Sequence, residues 1–343
     1  MNRSKNASTE NAKLAIVIPA FKIMYFEKCL ESIANQTIKN FTLYIGNDGS
    51  HNDFESLIEK YSNKINIVYH RFKENLGGKD LVSHWERCID LVDGENWIWL
   101  FSDDDFMDHT CVENFFRLID RDPGYDLFHF NVKKVDEFNH ITVTQFSPFP
   151  ELLSVEDFLL GNFKMGYYST AIEYIFRKSH FYNQGRVQNF DLAWCADTAT
   201  WIKLGRRNGI RTIESSNVYW RESKLNISSS SEKEILKRKF YAQIEFANWI
   251  CKQAKENEIH FEIMALKKRL ITWCFRDIRS RIKFLSFGLI APLVSKLYLN
   301  LYEKKPPKQK ILFLYNYKIY VFSKRMIKNI LFQKIFFKVQ KLK

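Results

Sequence analysis

The sequence has no GxGxxG after a strand, no GxxxxGK[ST] phosphate loop and no GxSxG elbow. A glycine-cradled dinucleotide, a P-loop nucleotide and an exposed serine nucleophile are therefore excluded as its chemistry. Its six cysteines, Cys29, Cys88, Cys111, Cys195, Cys251 and Cys274, stand far apart, with no CxxC and no zinc-ligand spacing. They read as reduced structural thiols in a cytosolic chain. Residues 1–13 are polar and lack an apolar h-region, so no signal peptide is expected. The longest uncharged apolar run, Phe284–Ser295, carries Pro292 and falls short of the roughly 18–20 residues that a membrane span needs. No internal repeat is visible.

Charge is plentiful but unevenly placed. The 343 residues hold 52 Lys and Arg against 39 Asp and Glu, a net +13. Residues 261–343 hold 20 of these bases and only 3 of the acids, which leaves 32 against 36 for residues 1–260. The body of the chain is thus mildly acidic and the excess lies in a C-terminal region. That region mixes Lys and Arg with Phe, Leu, Ile and Tyr, and Pro306-Pro307 breaks it. Basic amphipathic segments of this kind lie on anionic membrane surfaces. Stacking on single-stranded nucleic acid is the competing reading, but the aliphatic content and the acidic body favour the membrane.

The first 130 residues alternate strand and helix patterns. Leu14–Ile18 is an apolar run ended by Pro19, Phe41–Ile45 is stopped by the turn formers Gly46–Ser50, and Ile65–Tyr69 precedes the loop Asn75–Lys79. Helical spacing follows each run, over 23–35, 52–61 and from the loop to about Val92. The pattern implies an α/β fold with a mostly parallel central sheet, right-handed crossovers and flanking helices. Beyond a strand at Asp126–Val132 the rhythm changes. Ser154–Asp157 resembles a capping box, Ala171–Phe176, Ile210–Ile213 and Val218–Arg221 read as strands, and Trp194–Arg207 and Glu232–Glu256 read as helices. The expected organisation is a disordered tail over 1–12, an α/β domain over 13–225, a linker and long helix over 226–260, and the basic region over 261–343.

The stretch Trp97–Phe106 organises the rest. An aromatic strand ends in Asp103-Asp104-Asp105, and three carboxylates at the tip of a buried strand repel one another unless water or a cation meets them. At the carboxyl end of a strand in an open sheet, where ligands bind, a divalent metal is the natural cation. A solvated acidic turn that opens the helix near Thr110 is the plainer alternative.

Leu14–Pro19, Cys29–Thr37, Asn47–Ser50, Asn75–Lys79 and Ser102–Asp105 follow one another in the order and spacing of a known family. The chain resembles a family 2 glycosyltransferase of the GT-A fold over roughly residues 13–225, with the helical basic region appended. The resemblance implies an inverting transfer of a sugar from a nucleoside-diphosphate donor, of the UDP class, to a hydroxyl of a glycan or lipid-linked acceptor. It also implies surface-polysaccharide synthesis at the cytoplasmic face of a membrane.

On this resemblance Pro19, Ala20 and Phe21 cradle the nucleotide base, and Asn47 and Asp48 match the pair that receives the uracil imide or ribose. Gly78 and Lys79 lie near base and phosphates, although the same loop suits a simple helix cap. A divalent Mn²⁺ or Mg²⁺ falls to Asp104 and Asp105, with Asp103 nearby. The register is open, because Ser102 stands where the family's first aspartate would be. Asp197, in Cys195-Ala-Asp-Thr-Ala-Thr-Trp201, matches the general base, with Ala196 replacing the family's glutamate; an N-cap role is its alternative. Trp194 and Trp201 are candidate stacking faces for a sugar, with ordinary core packing the alternative for either, and Arg221 a candidate contact to diphosphate or acceptor, with Ser223 where a histidine is usual. The rival reading from another class is an inactive carbohydrate-binding or scaffold protein that keeps the fold.

Overall fold

The structure is a computed structural model that describes residues 13–143, 147–164, 166–167, 169–319 and 321–322. The expected tail 1–12 and the basic residues 323–343 lie outside the described residues. The chain forms two compact units, one of residues 1–229 with 258–260, the other of 230–257 with 261–343.

The first unit is α/β. Its opening half runs β1 (Leu14–Ala20), α1 (Phe26–Ala34), β2 (Phe41–Asn47), α2 (Phe54–Ser62), β3 (Asn66–Arg71), α3 (Leu81–Ile89) and β4 (Trp97–Leu100). The second half runs β5 (Phe106–Met107), α4 (Cys111–Arg121), β6 (Leu127–Val135), β7 (Ile141–Val143), β8 (Leu152–Leu153), α5 (Val155–Lys164), β9 (Tyr174–Arg177), α6 (Lys178–Asn183), α7 (Ala196–Gly205) and β10 (Ile210–Arg221). One sheet takes all ten strands in the order β3-β2-β1-β4-β9-β6-β10-β5, with β7 on β6 and β8 on β10. The half β3-β2-β1-β4 is wholly parallel, and continuous apolar strands such as Leu14–Ile18 are buried on both faces as such sheets require. The other half is mixed. β9 runs antiparallel to both β4 and β6, while β10 is parallel to β6. The expectation of a mostly parallel sheet therefore holds for the N-terminal half alone.

Strand order reverses between β1 and β4, since β2 and β3 lie to one side of β1 and the later strands to the other. Crevices form at the carboxyl ends of strands at such a point. Ile210–Ile213 and Val218–Arg221, read as two strands, are one strand whose pairing with β6 slips between Ile213 and Asn217. The capping box at α5 forms as expected: Ser154 Oγ accepts from Asp157 N at 3.0 Å.

Among the described residues the second unit includes the helices α8 (Lys233–Lys255), α9 (Ile263–Arg281) and α10 (Phe287–Tyr302), and residues 308–319 are also helical. The long helix, expected with its linker as a separate segment over 226–260, groups with the basic region. Leu236, Phe240, Ile244, Ala247 and Ile250 of α8 and Leu266, Leu270, Cys274 and Ile278 of α9 are buried at helical spacing. Among the described residues no helix is long and apolar enough to cross a membrane.

Candidate active site

The carboxyl ends of β1, β2 and β4 carry most of the residues that the sequence singled out. β1 ends in Pro19-Ala20 and continues into Phe21-Lys22, Ala20 pairs with Asn47 at the end of β2, and Asp48 N donates to Ala20 O at 2.8 Å. The acidic turn begins just beyond β4. All three aspartates are almost fully buried, and each is held differently.

Asp103 Oδ2 accepts from the backbone amides of Phe21 (2.7 Å) and Lys22 (2.6 Å), which clamps the end of β1 to the turn. Asp105 Oδ1 accepts from the amide of Arg221 at 2.6 Å. Asp104 Oδ1 accepts from Ser102 Oγ at 2.6 Å, and its Oδ2 meets the ammonium of Lys22. Ser102 therefore orients Asp104 from the place of the family's missing aspartate. Burial, with repulsion from Asp104, pushes the Asp103 carboxyl up to about 6 against the pull of Lys22. The same two causes raise Asp105 well above the usual carboxylate range. Among the described residues no three His, Cys, Asp or Glu side chains converge on a metal position. The donor set fits the other style of hard-ion binding, one or two carboxylates completed by phosphate oxygens.

Asp48 turns its carboxylate inward. Oδ1 accepts from Leu76 N and Oδ2 from Gly77 N, each at 2.8 Å, and the Arg87 guanidinium also meets Oδ1. A side chain at Gly77 would collide with Asp48 Oδ2 at 2.8 Å, so a glycine is required where the loop wraps the carboxylate. Asn47 is similarly engaged: its Oδ1 accepts from Ser50 N and its Nδ2 donates to Tyr69 Oη, both at 2.8 Å. Gly78 N donates to Asn75 Oδ1, Lys79 is exposed, and Asp80 caps α3 through Ser83 N. Arg87, absent from the sequence argument, stacks its guanidinium 3.8 Å above the Phe72 ring.

Asp197 lies in the first turn of α7, and its Oδ1 accepts from Thr198 N at 2.7 Å. The N-cap position belongs to Cys195, whose side chain makes no cap bond. Leu192, Ala193 and Cys195 all adopt left-handed φ angles, 59°, 53° and 68°. Each is costly for a residue with a side chain, and such strain gathers at functional sites. Asp197 keeps partial exposure, yet its crowded surroundings raise the carboxyl to about 6. Glu173 lies wholly buried near it and is pushed up to about 7, chiefly by burial, while Thr170 N and Oγ1 hydrogen-bond its carboxylate at 2.5 Å each.

Pairing sets the acidic turn beside the segment that precedes β9. β4 and β9 are antiparallel with Trp99 opposite Ile175, so the residues after β4 run beside the residues before β9. Trp99 Nε1 donates to Ile172 O at 2.6 Å, and Trp201 Nε1 of α7 donates to Thr170 O at 3.1 Å. Trp201 is buried and stacked 4.3 Å from Tyr174. That burial corrects the expectation of a sugar-stacking face there: the ring anchors α7 to the segment before β9. Trp194 is partly exposed.

Arg221 is also buried. Its guanidinium donates to Asp104 O (2.8 Å), Asp136 O (3.0 Å) and Asn139 Oδ1 (2.7 Å). These bonds tie the acidic turn to the β6–β7 hairpin, in place of the expected open contact to diphosphate. Glu173, Thr170 and Lys22 carry no motif, and only the adjacency of Lys22 to Pro19-Ala-Phe21 hinted at its place.

Residues 15–182 match the family described as Glycosyl transferase family 2. Residues 15–182 are thus a glycosyltransferase family 2 domain. Over 108 residues it is 26% identical to "Glycosyltransferase GlyA" of Streptococcus pneumoniae serotype 4, across 31% of this chain and 15% of that protein. The chain therefore spans a small part of the length of that curated relative. In fold it is similar to S. aureus TarS 1-349 in complex with UDP-GlcNAc, with a TM-score of 0.61 at 15% identity over 92% of each chain. The same protein in complex with UDP gives 0.53 at 15% identity, over 92% of this chain and 91% of the other. The architecture is thus that of the GT-A fold, with a helical C-terminal region.

Proposed function

We propose that the chain is an inverting glycosyltransferase that moves one sugar from a nucleoside-diphosphate donor of the UDP class to a hydroxyl of a glycan or lipid-linked glycan. The observation that carries the reading is the pairing of β4 with β9, which sets the acidic turn after β4 beside the segment before β9, to which Trp201 of α7 is bonded, next to the point where strand order reverses. The complexes of TarS with UDP-GlcNAc and UDP support the donor class.

The mechanism follows from the charges. Pro19, Ala20 and Phe21 border the crevice in which the donor base lies, and Asp48 shapes its floor by holding the 75–79 loop. Asp104 and Asp105 would hold a divalent Mn²⁺ or Mg²⁺, which supplies positive charge for the departing diphosphate. Asp197 takes the acceptor proton while the acceptor oxygen bonds to the anomeric carbon and the sugar–diphosphate bond breaks, its electron pair leaving with phosphate. A carboxylate raised to about 6 is ionised at neutral pH and still more basic than an ordinary one. The start of α7 stabilises its negative charge.

The second unit completes the reading as a peripheral attachment to an anionic membrane surface on the cytoplasmic side, supported by its excess of Lys and Arg. The direct test is an assay of nucleotide release from a panel of nucleotide sugars, with glycan and lipid-linked acceptors and with Mn²⁺ or Mg²⁺. Acceptor-dependent release from one donor supports transfer. A folded protein that releases nucleotide from none, with any acceptor, supports the scaffold reading.

A further inference from the structure

Lys22 is a cation inside the acidic pocket. Its ammonium meets Asp104 Oδ2, lies 3.7 Å from Asp103 Oδ1 and donates to Asn226 Oδ1 at 3.3 Å. The lysine side chain is 27% exposed, against 4–5% for the two carboxylates, so it reaches the cluster from the open side of the crevice. The other donors to the cluster come from its walls: Ser102 Oγ, the amides of Phe21, Lys22 and Arg221. The nearby Arg221 guanidinium gives its protons to carbonyls and an amide oxygen. Among the described residues Lys22 is thus the one ammonium set against the buried carboxylates of this turn.

We propose that Lys22 is the resident counter-ion of this pocket and competes with a divalent cation for Asp104. The inference rests on the metal-assisted reading above. An ammonium and a dication cannot share one carboxylate oxygen, because they repel each other strongly at such a separation in a partly buried site. The exchange needs no backbone movement. Asp103 pins the amides of Phe21 and Lys22, while the flexible four-carbon stem of lysine leaves its ammonium free to swing. A displaced ammonium remains in the crevice at the end of β1, where an anionic diphosphate oxygen is its natural partner. Lys22 thereby couples metal entry to donor entry. Without donor it opposes the metal; with donor it has somewhere to go.

The test measures Mn²⁺ binding to the full chain without nucleotide, by the loss of the free-ion electron paramagnetic resonance signal, so no turnover is needed. Lys22→Met should bind Mn²⁺ about tenfold more tightly than wild type, because the metal no longer displaces a charge-assisted hydrogen bond. Binding by the variant where wild type shows none supports the proposal equally. Lys22→Arg should restore weak binding. Lys22→Gln, which keeps a hydrogen bond to Asp104, serves if methionine disturbs the fold. Equal or weaker Mn²⁺ affinity in folded neutral variants overturns the competition and leaves the metal-assisted reading standing. Absence of Mn²⁺ binding in wild type and neutral variants alike, with nucleoside diphosphate also present, overturns both.

Discussion

The two units of this chain use charge in opposite ways. In the α/β unit the decisive charges are buried and mostly partnered: Asp48, Asp103, Asp104, Asp105, Glu173, Arg211 and Arg221 are all nearly or wholly out of solvent. In the helical unit Lys and Arg dominate and lie mostly on the surface, with Lys239 a buried exception. Burial is costly for a charge and worthwhile where chemistry needs a tuned group. A solvated basic face costs little and attracts anionic surfaces. On the proposed reading, one unit reacts and the other attaches.

The largest effect should come from the reactive side. Asp197→Asn should lower kcat by at least about 10²-fold while donor affinity stays near wild type, as loss of a general base does. Full activity in that variant would remove Asp197 from the mechanism. Asp104→Ala should abolish the metal-dependent part of nucleotide binding, and calorimetry that finds Mn²⁺-dependent affinity unchanged would shift the metal to another carboxylate. A pH–rate profile checks the tuning itself. Asp197 must be ionised to accept a proton, so kcat should rise as pH passes upward through about 6. An acid limb nearer 4, the value of an ordinary aspartate, would contradict the crowding described here.

Stability sharpens the comparison with opposite pH slopes. Glu173 ionises near 7 in the folded chain instead of 4.5, so the fold loses stability as pH rises through that interval. Glu173→Gln should therefore gain, by up to about 3 kcal/mol above pH 7, and gain nothing below about 4.5. Burial lowers Lys239 from 10.5 to about 8, with Arg281 assisting. Its cost is present below pH 8 and fades as pH rises toward 10.5, so Lys239→Met should stabilise at pH 7 and not at the alkaline end. Thermal melts of both variants across pH would read the two slopes, and slopes of one sign would erase the contrast. The smallest effect concerns attachment: binding of the chain to anionic liposomes should weaken steadily as salt rises from about 0.1 to 1 M. Salt-insensitive binding, or binding kept after removal of residues 261–343, would separate attachment from the basic helices.

Sequence reading reached the parallel half of the sheet because Leu14–Ile18, Phe41–Ile45 and Trp97–Phe101 are continuous apolar runs closed by turn formers. It missed β5, β7 and β8, each of two or three residues, because so few residues show no period. It set the long helix apart in a segment of its own over 226–260, since Ser228–Ser231 looks like a boundary whichever side the helix packs on, whereas the helix groups with the region from 261 on. At the site, motif spacing singles out Asp104 and Asp197 as the candidates of the proposed reading. Trp201 and Arg221 were assigned outward roles because a motif gives order along the chain and says nothing about which way a ring or guanidinium faces. Lys22 and Glu173 stayed hidden for the complementary reason: their importance comes from long-range neighbours, Asp104 and Asp197.

The most direct test of the central claim is a calorimetric titration of the purified full chain with a panel of nucleoside diphosphates, with and without Mn²⁺ or Mg²⁺. Metal-dependent binding of one nucleotide, UDP by this account, lost in Asp104→Ala and kept in Asp197→Asn, is the predicted result. A folded protein that binds no nucleotide under any of these conditions would contradict it, leaving Asp104 a packed turn and Asp197 a residue of a helix start.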